Sequence, residues 1–161
     1  MDAFFHYRRL ESPLGILVLS GDLRGLTGVH FTDQANLPHL PPDREDADSF
    51  EEAAQRVGDY LEGHDSLSGL STAPIGSAFQ RSVWKELQAI PYGKRATYRQ
   101  VAEALGSAAM ARAVGNAVAA NPLLLLIPCH RVVLTGGKIG SYSAGVERKR
   151  MLLDLEALSS A

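Results

Sequence analysis

Cys129 is the only cysteine in the chain, and His130 and Arg131 follow it directly. A thiol attacks an electrophile only as its thiolate, and a neighbouring base or nearby cations favour that form. The three residues end an apolar run, residues 123–127, which is enclosed by prolines. Such a run predicts a buried strand or a tightly packed extended segment. We therefore expect a thiol, an imidazole and a guanidinium at the end of a rigid apolar element, as a nucleophilic site requires.

The same cysteine also has a structural interpretation, because free cysteines are commonly small core residues. Its polar neighbours favour the reactive interpretation. Adjacent residues on an extended segment point to opposite faces, so His130 need not touch the thiol directly. If the chain turns at this point, we expect His130 to exchange a proton with Cys129 through a water molecule.

Residues 128–132, with the sequence P-C-H-R-V, resemble the active-site motif of the O6-alkylguanine-DNA alkyltransferases. These are DNA repair proteins that accept an alkyl group onto a cysteine. The resemblance extends over roughly the second half of the chain. It is carried by F-Q at 79–80, V-W at 83–84, I-P-Y-G at 90–93, R-A-V-G at 112–115, N-P at 121–122, G-S-Y-S-A-G at 140–145, Lys149, Leu152, Leu153 and Glu156.

The resemblance implies a methylated-DNA–protein-cysteine methyltransferase whose substrate is guanine alkylated at O6 within double-stranded DNA. That atom lies inside the base stack, so the nucleotide must be flipped into a pocket. Cys129 would then take the alkyl group, with guanine as the leaving group. Because a thioether has no good leaving group, each molecule would act once, and no cofactor is implied. The resemblance indicates a monomer and leaves open both cooperative binding to DNA and activity on O4-alkylthymine.

The family motif assigns catalysis to four residues of this chain. Cys129 is the nucleophile, His130 is the base acting through water, Glu156 orients His130, and Tyr98 donates a proton or hydrogen bond to the departing guanine. Without the resemblance, Glu156 would be taken for an exposed carboxylate on a terminal helix. Arg131 is either structural or phosphate-facing, and the sequence does not decide between these roles.

The same resemblance places further residues around the substrate and the DNA. Around the substrate are Ser143 as a donor to O6, the carbonyls of Cys129 and Val132 as acceptors for the exocyclic amine, Asn121 as a brace for the preceding turn, and Tyr142 and Lys149. Against the DNA are Arg112, Ala111, Thr97 and Gly115. Arg112 would replace the extruded base in the stack, and the alternative for it is a phosphate contact.

The charge is divided unevenly along the chain, although the net charge is only −2. Residues 1–78 carry five Lys and Arg against thirteen Asp and Glu, whereas residues 79–150 carry eleven against three. Such asymmetry indicates that the second half faces a polyanion while the first half does not. An ordinary solvated basic surface is the alternative, and charge alone does not establish DNA binding.

Several classes of protein are not expected from this sequence. No apolar run has the length of a membrane span, and the first residues lack a secretory pattern. A single cysteine cannot form an internal disulfide, which indicates a reducing compartment. We therefore expect a soluble cytoplasmic protein with no membrane partner. Because the first half has no cysteine and its histidines are scattered, we predict no zinc or other metal site.

The first half of the chain is predicted to be a scaffold. Three strand candidates, separated by turn residues, lie at 4–10, 14–20 and 26–31, and an antiparallel hairpin or meander is expected. Ser49 and Glu52 form a possible capping box for a helix with an apolar face. A linker rich in Ser, Gly and Thr follows at 66–77, so we divide the chain into domains 1–75 and 76–161.

The second half is predicted to be mainly helical. Two further capping boxes pair Ser77 with Gln80 and Thr97 with Gln100. Short helices at about 98–105 and 108–120, joined by a glycine-containing turn, have the layout of a helix-turn-helix. The second of these is rich in small residues, which allow close approach to a DNA groove. A final helix at 146–158 carries the charge run 147–150, which is typical of a solvated face, with Lys149 as an exception.

We therefore expect an α/β fold. A ribonuclease-H-like N-terminal subdomain, made of antiparallel strands plus a helix, would precede a mainly helical winged-helix/helix-turn-helix C-terminal domain. The ribonuclease-H-like assignment comes from the resemblance alone. Ala144 stands where most of the family has glycine, which brings the acceptance of bulky alkyl groups into question.

Three alternatives to an alkyltransferase stay open at this point. An alkyltransferase-like protein would bind lesions without repairing them, but such relatives lack the cysteine. A Cys-His hydrolase would need an oxyanion hole and would turn over repeatedly. A plain helix-turn-helix regulator would have no use for Cys129.

Overall fold

The computed structural model describes residues 3–160, and the first half of this range forms a three-stranded antiparallel sheet. Strands β1 (His6–Leu10), β2 (Leu17–Asp22) and β3 (Gly25–Phe31) pair in the order in which they occur in the chain. The predicted meander is therefore confirmed. β2 begins later than predicted because residues 12–15 form a turn, in which Gly15 adopts a φ of +125°.

Helix α1 (Glu51–Leu61) follows the sheet and turns its apolar face into the core. The predicted capping box of Ser49 with Glu52 is wrong. Phe50 precedes the helix with a left-handed φ of 53°, and no side chain caps the helix start. The Ser49 hydroxyl donates instead to the carbonyl of Asp46 at 2.7 Å, so it is already used in the preceding turn.

Helices α2 (Ala78–Gln88), α3 (Tyr98–Ala104) and α4 (Ala111–Ala119) contact one another in the second half. The predicted capping boxes at the starts of α2 and α3 are both confirmed. Gly106, with a φ of +126°, turns the chain between α3 and α4, and a short 3-10 turn at Ala108–Met110 leads into α4. The pair α3 and α4 therefore has the predicted helix-turn-helix order.

The small residues of α4 bring its backbone close to α2. The indole nitrogen of Trp84 on α2 donates to the carbonyl of Ala117 on α4 at 2.8 Å. A buried indole N–H needs such a partner, and it finds a helix carbonyl near the end of α4. Trp84 therefore lies in the core, and it fixes the position of α4 relative to α2.

A short parallel strand pair connects the segment around Cys129 to the helix-turn-helix. Strand β4 (Ala96–Thr97) immediately precedes α3, and it pairs with β5 (Val132–Val133). A 3-10 turn at Cys129–Arg131 lies directly before β5, and helix α5 (Val146–Ser159) closes the chain. The segment around Cys129 and the start of α3 are therefore held side by side.

The prediction of a strand or an extended segment at residues 123–127 is wrong, although the segment is buried as expected. It folds as a tight turn in which Leu125 adopts a φ of 71°. Asn121 accounts for this turn, because its side-chain amide donates to the carbonyl of Ile127 at 2.8 Å and its Oδ1 accepts from the amide of Leu123 at 2.9 Å. One side chain thus satisfies the backbone groups that a neighbouring strand would otherwise pair.

The two halves share one hydrophobic core. Val29 of β3 donates its amide to the carbonyl of Pro122 at 2.8 Å and accepts from the amide of Leu124 at 3.2 Å. The predicted α/β fold, an antiparallel sheet followed by a helical domain, is confirmed. The division between residues 75 and 76 stays a prediction. Over residues 3–160, no helix is both long and apolar enough to cross a membrane.

Candidate active site

Cys129 lies in the 3-10 turn before β5 and is only 2% exposed. It borders a cavity of about 30 Å³ between the helix-turn-helix and the loop 140–145. The cavity is lined by Tyr98, Gly115, Val118, Ala119, Cys129, Ser141, Tyr142 and Ser143. The Cys129 thiol therefore lies at the wall of a small cavity shared by the helix-turn-helix and the loop.

The protein holds Cys129 as a neutral thiol at neutral pH. Burial raises the pKa of Cys129 to about 11, while a hydrogen bond with Asn121 and the positive charge of Lys149 act in the opposite direction. The thiolate that nucleophilic attack requires must therefore form by transfer of the proton to a base.

His130 is the nearest base in sequence, and a carboxylate fixes its orientation. Its Nε2 lies 2.6 Å from Oε2 of Glu156, and both side chains are almost fully buried. Burial lowers the pKa of His130 against the opposing effect of Glu156, so the imidazole is neutral at neutral pH. With the proton on Nε2, the basic nitrogen is Nδ1, which has no hydrogen-bond partner among the described residues.

Glu156 receives five hydrogen bonds from residues that the structure describes. The donors are Nε2 of His130, Nε and Nη2 of Arg131, the hydroxyl of Tyr60 and the amide of Gly93, at 2.5–3.1 Å. Burial by itself raises the pKa of Glu156, but the bonds from His130, Arg131 and Tyr60 hold that pKa far below its usual value. Glu156 is therefore a carboxylate that carries a fixed negative charge behind His130.

The role of Arg131, which the sequence left undecided, is structural in this fold. Its guanidinium pairs with Glu156 and donates through Nη1 to the carbonyl of Ile90 at 2.8 Å. Tyr60 was missed as a site residue, because its spacing on α1 indicated only the core face of a helix. The one available signal was chemical: a buried tyrosine hydroxyl needs a partner.

Tyr98 begins α3 and lines the cavity beside Cys129. Burial and the proximity of Cys129 raise its pKa, against the effect of a hydrogen bond with Ser141, so the phenol keeps its proton at neutral pH. The hydroxyls of Tyr142 and Ser143 are buried at the same cavity and have no partners within residues 3–160. Unpaired buried donors of this kind suit a polar ligand.

Lys149 is fully buried. It was predicted to be the exception in the charge run 147–150, whose other members were expected to be solvated. Its ammonium donates to the carbonyl of Val132 at 2.6 Å and to that of Ser141 at 3.0 Å. Burial lowers the pKa of Lys149 to about 8, while Cys129 acts in the opposite direction. Lys149 thus joins the loop 140–145 to the segment that follows Cys129.

Arg148 was predicted to lie on a solvated helix face, but its guanidinium contacts residues of the N-terminal half. Its guanidinium donates to the carbonyl of Leu14 at 2.8 Å, pairs with Asp33 at 2.7 Å and lies over the ring of Phe31 at 4.0 Å. It also donates to the carbonyl of Ala144 at 3.2 Å. The N-terminal sheet therefore supports the loop 140–145 from outside. Ala144 lies on this supported side and is not among the residues that line the cavity.

The residues expected to meet DNA lie on the helix-turn-helix. Arg112 is exposed in the first turn of α4, next to the half-buried Ala111, and Gly115 lines the cavity three residues further on. Residues three apart share a helix face, so Arg112 lies on the same side of α4 as Gly115. Thr97 caps the start of α3 by accepting from the amide of Gln100 at 3.0 Å. In the described range, His, Cys, Asp and Glu side chains form no group of three that could hold a metal ion.

Comparison with known proteins extends the resemblance to both halves of the chain. Residues 5–74 match the ribonuclease-like domain of 6-O-methylguanine DNA methyltransferase, and residues 78–158 match its DNA binding domain. A methylated-DNA–protein-cysteine methyltransferase of Mycolicibacterium paratuberculosis is 39% identical over 93% of this chain and 91% of its own length. The corresponding protein of Methanosarcina barkeri is 40% identical over 94% of this chain and 96% of its own length.

Solved structures agree with the sequence comparison. The crystal structure of Mycobacterium tuberculosis OGT in complex with DNA is similar with a TM-score of 0.89 and 36% identity, over 96% of this chain and 94% of that chain. The matches cover the sheet, the helix-turn-helix and the segment around Cys129 together. The chain therefore belongs to the 6-O-methylguanine DNA methyltransferase family.

Proposed function

We propose that the protein repairs DNA by moving the methyl group of O6-methylguanine directly onto Cys129, and that each molecule acts once. Relatives at about 40% identity over nearly the whole chain are methylated-DNA–protein-cysteine methyltransferases. The observation that carries the proposal for this chain is the position of Cys129. Its buried thiol borders a cavity on the helix-turn-helix, and the next residue is held by a buried carboxylate.

The proposed reaction begins with the removal of the thiol proton. A water passes this proton to Nδ1 of His130, and the imidazolium that results is stabilised by Glu156. Sγ of Cys129 then forms a bond to the methyl carbon while the bond from that carbon to O6 breaks. The electron pair of the broken bond stays on the guanine, where Tyr98 donates a hydrogen bond or a proton.

The pocket for the flipped base would form where the small cavity now lies. The Ser143 hydroxyl, which has no partner among the described residues, would donate to O6, and the carbonyls of Cys129 and Val132 would accept from the exocyclic amine. Asn121 holds the turn before Cys129, and Tyr142 forms part of the wall. We propose that Lys149 stabilises the pocket wall from behind, because its ammonium donates to the backbone carbonyls of Val132 and Ser141.

The partner is DNA, and we propose that it is the double-stranded form carrying O6-alkylguanine, bound by a monomer. Residues 79–150 supply the excess of positive charge that attracts the phosphate backbone. In this arrangement α4 approaches the DNA, with Ala111, Gly115 and Thr97 at the interface. Because a single cysteine cannot form an internal disulfide and must stay a free thiol to act, we place the reaction in a reducing compartment.

Intact mass spectrometry after incubation with duplex DNA containing one O6-methylguanine tests the proposal. We expect each protein molecule to gain one methyl group on Cys129 and the reaction to stop there, with the guanine restored. Binding without any change in the protein or the DNA would identify a lesion sensor. Repaired DNA together with unmodified protein would indicate repeated turnover, and the proposed mechanism would be wrong.

Arg112→Ala is expected to slow transfer from duplex DNA by about tenfold or more, because holding a base out of the stack costs a few kcal/mol. Transfer from free O6-methylguanine base, which needs no flipping, should be unchanged. Single-turnover rates on the two substrates measure the difference.

Arg112→Lys separates the two roles considered for Arg112. Lysine keeps the charge and a phosphate contact but lacks the planar guanidinium that can stack in place of a base. We expect Arg112→Lys to bind duplex DNA nearly as well as the unaltered protein. Its rate of methyl transfer from duplex DNA should nevertheless be as low as that of Arg112→Ala. Full repair by Arg112→Lys would assign Arg112 to the phosphate contact instead.

A further inference from the structure

Tyr60 belongs to α1 in the N-terminal half, yet its hydroxyl lies inside the cluster around Glu156. It donates to Oε2 of Glu156 at 2.5 Å and lies 3.2 Å from Nε2 of His130. The residue is 1% exposed, and its ring meets the rings of Tyr92 and His130 edge-on. The proposed mechanism of transfer does not use this hydroxyl, although the hydroxyl contacts both His130 and Glu156.

We propose that Tyr60 is a positioning residue that limits how strongly Glu156 holds a proton on His130, so that the N-terminal half takes part in the chemistry. This inference rests on the proposed function, since it concerns the same base. It goes beyond that function because it assigns a positioning residue to the N-terminal half, which was predicted from the sequence to be only a scaffold.

The negative charge on one oxygen of Glu156 is shared among several hydrogen-bond donors. Among the described residues, Oε2 of Glu156 accepts from Tyr60 at 2.5 Å, from His130 at 2.6 Å and from Arg131 at 3.0 Å. Each donor takes up part of the negative charge that would otherwise act on the imidazole alone. With Tyr60 in place, the carboxylate stabilises an imidazolium less strongly, and His130 releases its proton more readily.

The other charged groups near His130 do not depend on Tyr60. Lys149 and Glu156 face it from α5, and Arg131 is its neighbour in the chain. Both cations oppose protonation of His130, whereas Glu156 favours it. Tyr60 is the contact from α1: its hydroxyl donates its proton to Glu156, and its oxygen lies 3.2 Å from Nε2 of His130. A change at its hydroxyl should therefore alter the balance at His130 without removing any charge.

Tyr60→Phe removes the hydroxyl and keeps the ring, so it tests the proposal with little change in packing. The readout is the single-turnover rate of methyl transfer as a function of pH. Protonation of His130 removes the base, so the rate falls on the acid side. We expect the midpoint of this fall to move upward by about one pH unit in Tyr60→Phe, because Glu156 then holds the proton on His130 more strongly.

Tyr92→Phe is the matched control. Tyr92 packs edge-on against Tyr60, and its hydroxyl is buried without a hydrogen-bond partner within residues 3–160. Removing that hydroxyl should leave the acid midpoint where it is in the unaltered protein. An equal shift in both variants would mean that packing, and not the bond to Glu156, is responsible, and the proposal would be overturned.

A fluorinated tyrosine placed at position 60 supplies a second, opposite test. Its more acidic hydroxyl makes a stronger bond to Glu156, so the acid midpoint should move downward. This keeps the inference testable if Tyr60→Phe fails to fold. An acid midpoint that moves in neither variant would show that Tyr60 is only structural. Absence of methyl transfer in the unaltered protein would instead contradict the proposed function, so the two failures are distinguishable.

Discussion

Cys129→Ser is expected to bind duplex DNA containing O6-methylguanine and to leave both the DNA and itself unchanged. Burial is the main reason why the pKa of the Cys129 thiol is raised to about 11. A serine hydroxyl is a much weaker acid than a thiol, and in the same place it would not form its anion to a useful extent. We therefore expect methyl transfer to fall below detection, measured by the intact mass of the protein after prolonged incubation.

The serine variant also separates chemistry from binding. Serine is close to cysteine in size, and the side chain is almost fully buried, so the fold and the DNA interface should persist. Fluorescence anisotropy with a labelled duplex should show an affinity close to that of the unaltered protein. A Cys129→Ser chain that still restored the guanine would exclude Cys129 as the acceptor and would require another nucleophile.

Local sequence signals were enough to predict the sheet of the first half and the helix-turn-helix of the second. The strand pattern of the first half and the capping boxes at Ser77 and Thr97 each depend on residues within a few positions, and both appear in the structure. The segment 123–127 shows the limit of such signals. Its burial followed from its apolar residues, but the hydrogen bonds from the side chain of Asn121 and from the amide of Ile127 to the carbonyl of Leu123, which make it a turn, did not.

The cluster around Glu156 could not be predicted from local signals, because its members are far apart in the chain. Tyr60 lies 96 positions before Glu156, and Arg131 lies 25 positions before it. Arg131 was recognised as a cation near the site, but its partner was unknown. Arg148 is a similar case, since its contacts with Leu14 and Asp33 depend on how the sheet packs against α5. Charge runs on a helix do not reveal which of their members a second domain covers.

Glu156→Gln is expected to be the most damaging neutral replacement in this cluster. The buried carboxylate balances Arg131 and accepts from His130, Tyr60 and the amide of Gly93. An amide of the same shape leaves the charge of Arg131 buried without its partner, and the loss of one member of a buried pair costs about 3–5 kcal/mol. We expect urea unfolding at neutral pH to show a loss of this size in the free energy of unfolding.

Methyl transfer by Glu156→Gln should also be slow. Without the carboxylate, His130 loses the charge that stabilises its imidazolium, and a positioned base is worth about 100-fold or more in rate. Asp154→Asn is the control, because Asp154 is exposed on the same helix and its replacement makes the same change in net charge. We expect the control to keep its rate and to change the free energy of unfolding by no more than about 0.5 kcal/mol.

The effect of Glu156→Gln on stability should depend on pH in one direction. The pKa of Glu156 in the folded chain is far below its value in the unfolded chain, which is about 4.3. The ionised group therefore stabilises the fold above that pH, and this contribution is lost as the pH falls towards the folded value. The contribution of the Glu156 charge to the difference in unfolding free energy between the unaltered protein and Glu156→Gln should thus be complete above about pH 5 and should shrink below about pH 4. A difference that stayed constant into acid would mean that the carboxylate's charge does not stabilise the fold, and that Gln destabilises it through shape or hydrogen bonding alone.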